Sequence, residues 1–303
     1  MYDIIGDVHG NAAILKKLLK KLGYRKKGGV FSHAGKKAVF IGDFINRGPR
    51  VRETTTMIRS MVEAGNAHAI LGNHELNAIL YYLKDENGKR LPVKNNTGFT
   101  RTQNAFRHYP EEWKSHRRWM RTLPLFLELG PLRMVHACWI DENIDNLKSI
   151  LTGARLKKSF LRKIFTEPES PEGKSVWQTT KGLLFEVPPD LSIRNKRKAS
   201  IRSFRMKWWE TPEGKTFNGI SFESKMSLPE YTIPPEILPA ITPYPDNAPP
   251  VFFGHYCRGN GPFLINNNIC CVDSCVTTTK ILTAYSWQGE DKLNEKNLIK
   301  FNL

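Results

Sequence analysis

Over the first 140 residues, short apolar runs alternate with amphipathic stretches. The runs "YDII" (2–5), "AVFI" (38–41), "HAIL" (68–71) and "RMVH" (133–136) have strand length and read as buried strands. Between the first two, Ile14, Leu15, Leu18, Leu19 and Leu22 recur at helical spacing, and Gly23 follows as a C-terminal stop. Met57, Ile58, Met61 and Val62 repeat that pattern after the second run, and Gly65 ends it. Strand and helix in strict alternation predict an α/β layer fold.

The middle of the chain breaks the pattern. From about 140 to 250 it holds many prolines, dense charge and few long periodic segments. Then "VFFGH" (251–255), "ICCVDS" (269–274) and "ILTAYSW" (281–287) resume the strands. The expectation is one domain over 1–303, its core drawn from 1–140 and 250–303, with an inserted cap at about 140–250.

Composition narrows the function classes. At 40% hydrophobic and 25% charged residues the chain is that of a soluble globular protein. No apolar run approaches the eighteen or so residues of a membrane span, so no membrane partner is expected. The N-terminus carries Asp3 and Asp7 inside its first apolar run, unlike a secretory leader. A net charge of +17 favours acidic partners: nucleotides, phosphorylated protein, nucleic acid or an anionic membrane surface. Five cysteines, an odd number, argue against a disulfide framework and for a reducing cytoplasm.

Five strings lie where a predicted strand gives way to a loop: "GDVHG" (6–10), "GDFINRG" (42–48), "GNHE" (72–75), "VHA" (135–137) and "FGH" (253–255). Ligands of open α/β sheets bind beyond the carboxyl ends of strands, so these strings are expected to meet in one site. They offer Asp7, His9, Asp43, Asn73, His74, His136 and His255. Oxygen and imidazole donors without thiolate suit Mn, Fe or Zn in a hydrolytic centre.

In this order the strings GDxHG, GDxxxRG and GNHE, followed by two separated histidines, resemble the phosphoprotein-phosphatase branch of the calcineurin-like metallophosphoesterases. That branch includes Ser/Thr protein phosphatases and bacterial diadenosine tetraphosphate hydrolases. The resemblance covers roughly 1–140 and 250–290, and "RTLPLFLEL…RMVHACW" (121–139) and "FFGHY" (252–256) with Asp273 look more like the bacterial members. It implies a β-sandwich of two mixed sheets flanked by helices, and two divalent metal ions, Mn²⁺ first and Fe or Zn as alternatives. Under the resemblance Asp7 and His9 hold one metal, Asp43 bridges, and Asn73, His136 and His255 complete the other. Arg47 would clamp the phosphoryl oxygens, and His74 would protonate the leaving group.

One position departs from the pattern. The branch has aspartate at the fifth position of GDxxDRG, where it orients the catalytic histidine; here Asn46 stands there. Asn46 is expected to accept a hydrogen bond from the His74 ring while supplying no negative charge, which weakens His74 as an acid. A weak acid favours substrates with good leaving groups. The expected function is therefore hydrolysis of a nucleotide polyphosphate of the diadenosine tetraphosphate type, or of a similar phosphate. A protein Ser/Thr/Tyr phosphatase is the alternative, and a catalytically weak metal- or nucleic-acid-binding relative is the alternative from another class.

The basic run 194–207 holds seven basic residues and no acidic one. Such a run is ordinarily a solvated face. The alternatives are phosphate binding by Arg202 and Arg205, since "IRSFRMKWW" (201–209) also resembles a stretch of the bacterial relatives, or a nucleic-acid stripe. Trp208 and Trp209 are expected to pack, and Lys181 to be ordinary surface. Cys138 and Cys257 lie two residues past proposed ligands but are expected to be buried small residues, and a zinc site at Cys271 and Cys275 lacks a CxxC pair.

Overall fold

A computed structural model describes residues 1–92, 97–153, 155–189, 191, 194–195, 200, 202–222, 226–257, 261 and 263–302. Two five-stranded sheets form its centre. The first runs in the order Leu298–Asn302, Ile281–Trp287, Tyr2–Ile5, Lys37–Phe40, Ala67–Ala69. The second runs Phe263–Asn266, Ile269–Cys271, Val251–Phe253, Leu132–Val135, Phe126–Leu129. Both are mixed. Three neighbouring strands in each are parallel, and the remaining strands join antiparallel.

Side-chain alternation along the strands makes this a four-layer molecule. Ile4, Val39 and Ile70 from the first sheet meet Leu132, Met134, Phe252 and Cys270 from the second in one buried cluster. The Phe252 and Tyr285 rings lie 5.0 Å apart across that seam. The alternate residues Ile5, Ala38 and Phe40 face outward, onto the helices Ala12–Lys21 and Val51–Glu63. On the opposite side Val135, Val251, Phe253, Ile269 and Cys271 are covered by Phe185, Phe204, Met206, Trp208 and Phe217. Trp208 is buried against Phe253, in the packing role expected of it.

Residues 140–250 supply none of these ten strands. Their first forty residues form three short helices, Asp141–Ile150, Lys158–Thr166 and Pro171–Lys181. Each hides only a narrow apolar stripe: Ile144 and Leu147, Leu161 and Ile164, then Val176 beside buried Thr179 and Thr180. Threonine on a buried face does not register in a hydrophobic pattern. The same cause hid the first turns of Val51–Glu63, where Thr54 and Thr55 are buried with their hydroxyls donating to the Arg50 and Val51 carbonyls.

Candidate metal centre

Each of the six parallel strands ends at one cleft and delivers polar side chains to it. Asp7 and His9 follow Tyr2–Ile5, and Asp43 follows Lys37–Phe40. Asn73 and His74 open the helix Asn73–Tyr81 after Ala67–Ala69. From the second sheet come His136, His255 and Asp273, after Leu132–Val135, Val251–Phe253 and Ile269–Cys271. Holding them this close strains the backbone. Among the described residues, seven non-glycine residues have positive φ, and His9, Asp43, Asn46, Arg47 and His255 are five of them.

Asp43 is the hub. Its Oδ2 lies 3.7 Å from His9 Nε2, 3.7 Å from His74 Nε2 and 3.5 Å from His136 Nε2. Asp7 Oδ2 is 4.0 Å from His9 Nε2, and Asn73 Oδ1 is 3.2 Å from His136 Nε2. Two groups of side chains have ligand atoms close enough to hold an ion: His9, Asp43 and His74, and Asp43, His136 and His255. Asp43 is common to both. Distance alone thus places His74 as near the hub as His9, and its partners must separate their roles.

The donors fit divalent cations. His9 Nδ1 donates to the Ile45 carbonyl at 3.0 Å and His136 Nδ1 to the Ile41 carbonyl at 2.6 Å, so each ring turns Nε2 toward Asp43. Backbone approaches the carboxylates too closely for any side chain between them. A Cβ on Gly72 would lie 2.2 Å from Asp43 Oδ1, and one on Gly254 2.2 Å from Asp7 Oδ1. The titration directions point the same way. Burial, then the charges of Asp273 and Asp43, push Asp7 well above the usual carboxylate range. Asp43 is buried as well, yet the imidazoles of His136, His74 and His9 outweigh that and hold it well below. Burial opposes a charged His136, but Asp43 raises it to about 10.

His74 differs from the ligand-like histidines. Its Nδ1 faces Asn46 Nδ2 at 2.5 Å, and Arg47 Nη2 stands 3.4 Å from its Nε2. The Asn46 amide is held from behind by Thr102. Its hydroxyl accepts the Asn46 backbone N–H at 3.0 Å and donates to Asn46 Oδ1 at 2.5 Å. This corrects the expectation that Asn46 accepts from the ring: with Oδ1 taken, the amide donates to Nδ1. A neutral imidazole accepts at one nitrogen only, so a ring that accepts from Asn46 at Nδ1 carries its proton on Nε2 and does not also accept from the Arg47 guanidinium. Burial, together with Arg47 and His136, lowers its pKa despite Asp43.

Glu75, the last letter of GNHE, was missed as a site residue. Its buried carboxylate accepts the backbone N–H groups of Asp43 (2.7 Å), Gly72 (3.1 Å), Phe44 (3.0 Å) and Ile45 (3.1 Å). One side chain thereby shapes the Asp43 loop and reaches back to the residue that opens its own helix. Replacing it by leucine strands four buried donors at about 1 kcal/mol or more each. Glu75→Leu is therefore expected to lose at least about 4 kcal/mol in urea unfolding, a large share of a typical domain's stability. A loss under about 1 kcal/mol would show that the loop holds its shape without it.

The arginines of the basic run divide. Arg205 Nη1 donates to the His255 carbonyl at 2.6 Å and its guanidinium lies over the Tyr256 ring, so it braces the His255 loop. Arg202 is exposed. Of the run, 196–199 and 201 lie outside the described residues. Cys138, Cys270 and Cys271 are buried free thiols, whereas Cys257 is exposed and joined to Cys275 by a disulfide. That corrects both the absence of disulfides and the burial of Cys257, and it removes Cys275 from any zinc site. Val251–Phe253 and Ile269–Cys271 are neighbours in the sheet, so residues two past His255 and two past Asp273 come together although 18 apart in sequence.

Residues 2–255 match the family model described as calcineurin-like phosphoesterase. The chain belongs to that family. A bis(5'-nucleosyl)-tetraphosphatase (asymmetrical) from Geobacillus sp. strain WCH70 is 34% identical over 143 residues, 45% of this chain and 56% of that protein. A symmetrical bis(5'-nucleosyl)-tetraphosphatase from Wigglesworthia glossinidia brevipalpis is 27% identical over 63% of this chain and 65% of that protein. The chain thus spans little more than half the length of the first of these relatives. Among solved structures, a cold-active protein-tyrosine phosphatase of a Shewanella species aligns with TM-score 0.48 at 16% identity, covering 94% of this chain and 74% of that one. Family membership implies divalent metal ions, and the two ligand groups at Asp43 are where this chain offers to hold them. No helix among the described residues is long and apolar enough to cross a membrane.

Proposed function

We propose that this protein is a metal-dependent phosphohydrolase acting on a nucleotide polyphosphate, with Mn²⁺ as the preferred ion. The observation that carries the proposal is the Asp43 carboxylate shared between two groups of metal-ligating side chains, with Arg47 and His74 beside it. Asp7, His9 and Asp43 would hold one ion; Asp43, Asn73, His136 and His255 the other. When bound, two such ions supply Lewis-acid charge to the phosphoryl group and an activated water for in-line attack. Arg47, exposed above the cleft, would grip a phosphoryl oxygen with its planar fork. His74 presents Nε2–H to the same space. Residues 140–250 would act as a cap, and Arg205 would position His255 rather than bind substrate.

The His74 arrangement supports the substrate class. Its Nδ1 takes a hydrogen from Asn46, and among the described residues no carboxylate stands behind Nδ1, so it is a poor acid. Anhydrides expel a phosphate oxygen that needs little protonation. The names of the matching relatives point to the same class. Dialysis against a chelator is expected to abolish hydrolysis of both an aryl phosphate and a dinucleoside tetraphosphate, and Mn²⁺ is expected to restore it. Undiminished turnover in excess chelator would overturn the metal mechanism.

A further inference from the structure

The helix Asn73–Tyr81 leads away from the metal-facing groups into a cavity of about 740 Å³. Asn73, which faces His136, and Asn77 and Leu80, which line the cavity, are spaced i, i+4 and i+7 and so share one stripe of that helix. At about 1.5 Å per residue, Asn77 stands only about 6 Å further along the axis than Asn73. The facing wall is the end of the helix Pro171–Lys181, with Trp177 and Lys181, followed by Leu184. That wall meets the same centre through one hydrogen bond and one close approach. The Thr179 carbonyl accepts the N–H of Ala137, the residue after His136, at 2.9 Å. A Cβ on Gly182 would lie 2.3 Å from the hydroxyl of Tyr256, the residue after His255. Floor and wall therefore both continue from residues that carry the ligand set.

Lys181 is the unusual group here, and it corrects the expectation of an ordinary surface lysine. It is half-buried, with Nζ 3.8 Å from the centroid of the Trp177 ring. Nearby Lys174 has a carboxylate, Glu169, at 3.8 Å, whereas Lys181 makes no ion pair among the described residues. Burial lowers its pKa, a shift that an anion at Nζ would reverse. Trp177 is fixed by its indole N–H, which donates to the Ile164 carbonyl at 3.0 Å. A fixed aromatic plane, two leucines and Lys181 line one slot, whose wall also carries the Lys174–Glu169 pair and Glu186. Its volume lies within the range of small-ligand sites and accommodates a nucleotide.

We propose that this cavity is a nucleotide subsite, holding the nucleoside phosphate portion next to the scissile phosphoryl group: Lys181 meets a phosphate oxygen, and Trp177, Leu80 and Leu184 take the base. The proposal rests on the nucleotide-polyphosphate reading of the metal centre and extends it to the residues that would select the nucleotide. Inorganic phosphate reaches the metals alone, whereas ADP reaches the metals and the cavity.

Equilibrium dialysis of the metal-loaded full chain against ADP and against inorganic phosphate separates the two. ADP is expected to bind at least about tenfold more tightly than phosphate, the scale of one charge-assisted hydrogen bond. Lys181→Met is expected to erase most of that advantage and Lys181→Arg to keep it, while phosphate affinity stays within about twofold in both. Leu184→Glu, at a side chain already 42% exposed, places a negative charge in the slot without disturbing the core and is expected to act like Lys181→Met. Equal affinity of the wild type for ADP and phosphate overturns the subsite. So does unchanged ADP affinity in Lys181→Met and Leu184→Glu proteins that melt like wild type. Turnover of a dinucleoside tetraphosphate is followed in parallel. A wild type that binds ADP through Lys181 but leaves the tetraphosphate intact retains the subsite and sinks the substrate reading. Tetraphosphate cleavage with ADP affinity indifferent to both variants sinks the subsite alone.

Discussion

Asp43→Asn is expected to strip the protein of both divalent ions and to lower phosphoester hydrolysis by at least about 10³-fold, the upper end for losing one preorganised charge contact. Asp43 is the member common to both candidate ligand groups, and its Oδ2 lies within 3.7 Å of three imidazole Nε2 atoms. Asparagine keeps the shape and one carbonyl oxygen but loses the negative charge on which both ions would depend. His74→Asn is expected to behave differently: because the neutral ring is a weak acid, turnover falls by no more than about 10²-fold, the lower end of general acid–base contributions, while metal content is unchanged. Elemental analysis of the purified variants reads this directly. An Asp43→Asn protein that retains two ions per chain would remove Asp43 from the centre. A His74→Asn protein that loses an ion would make His74 a ligand, which its 3.7 Å approach to Asp43 allows.

The strands and the loops after them were legible because both are written locally. Four-residue apolar runs ending in Gly-Asp or Gly-Asn strings need no distant contact to be recognised, and Tyr2–Ile5 falls where "YDII" placed it. What the chain concealed is non-local or polar. The helices Asn73–Tyr81 and Pro171–Lys181 bury Glu75 and Thr180, residues whose burial is stabilised by hydrogen bonds and so leaves no hydrophobic trace. Glu75 was in view within GNHE, but three of its four backbone donors reach it only once the loop 43–45 folds beside its helix. Lys181 reads as surface until the helix that carries it lays the ammonium on Trp177. The Cys257–Cys275 bond depends on two strands being sheet neighbours, a property of topology rather than spacing.

Asn46→Asp is expected to raise hydrolysis of an alkyl phosphate such as phosphoserine by about 10²-fold, the lower end of general-acid contributions, and to change anhydride hydrolysis far less. The argument runs through one hydrogen bond. Asn46 now donates from Nδ2 to His74 Nδ1, which leaves the ring neutral with its proton on Nε2. Giving up that proton would create an imidazolate, so the ring lends little acid strength to a departing alkoxide. An aspartate cannot donate; it must accept, which draws a proton onto Nδ1 and stabilises the imidazolium form. The imidazolium can release its Nε2 proton to the leaving oxygen and remain neutral. Thr102 needs no rearrangement, because its hydroxyl already donates to the Asn46 oxygen and would donate equally to a carboxylate oxygen. The two substrates separate the effect from a general gain. Serine alkoxide is a poor leaving group and feels the new acid in full, whereas a nucleotide phosphate departs without it. Parallel kcat measurements on phosphoserine and a dinucleoside tetraphosphate, with equal metal content verified, decide the matter. Equal gains on both substrates would mean that the substitution acts on metal or binding. No gain on either would show that proton delivery does not limit this site, and the preference for good leaving groups would lose its physical basis.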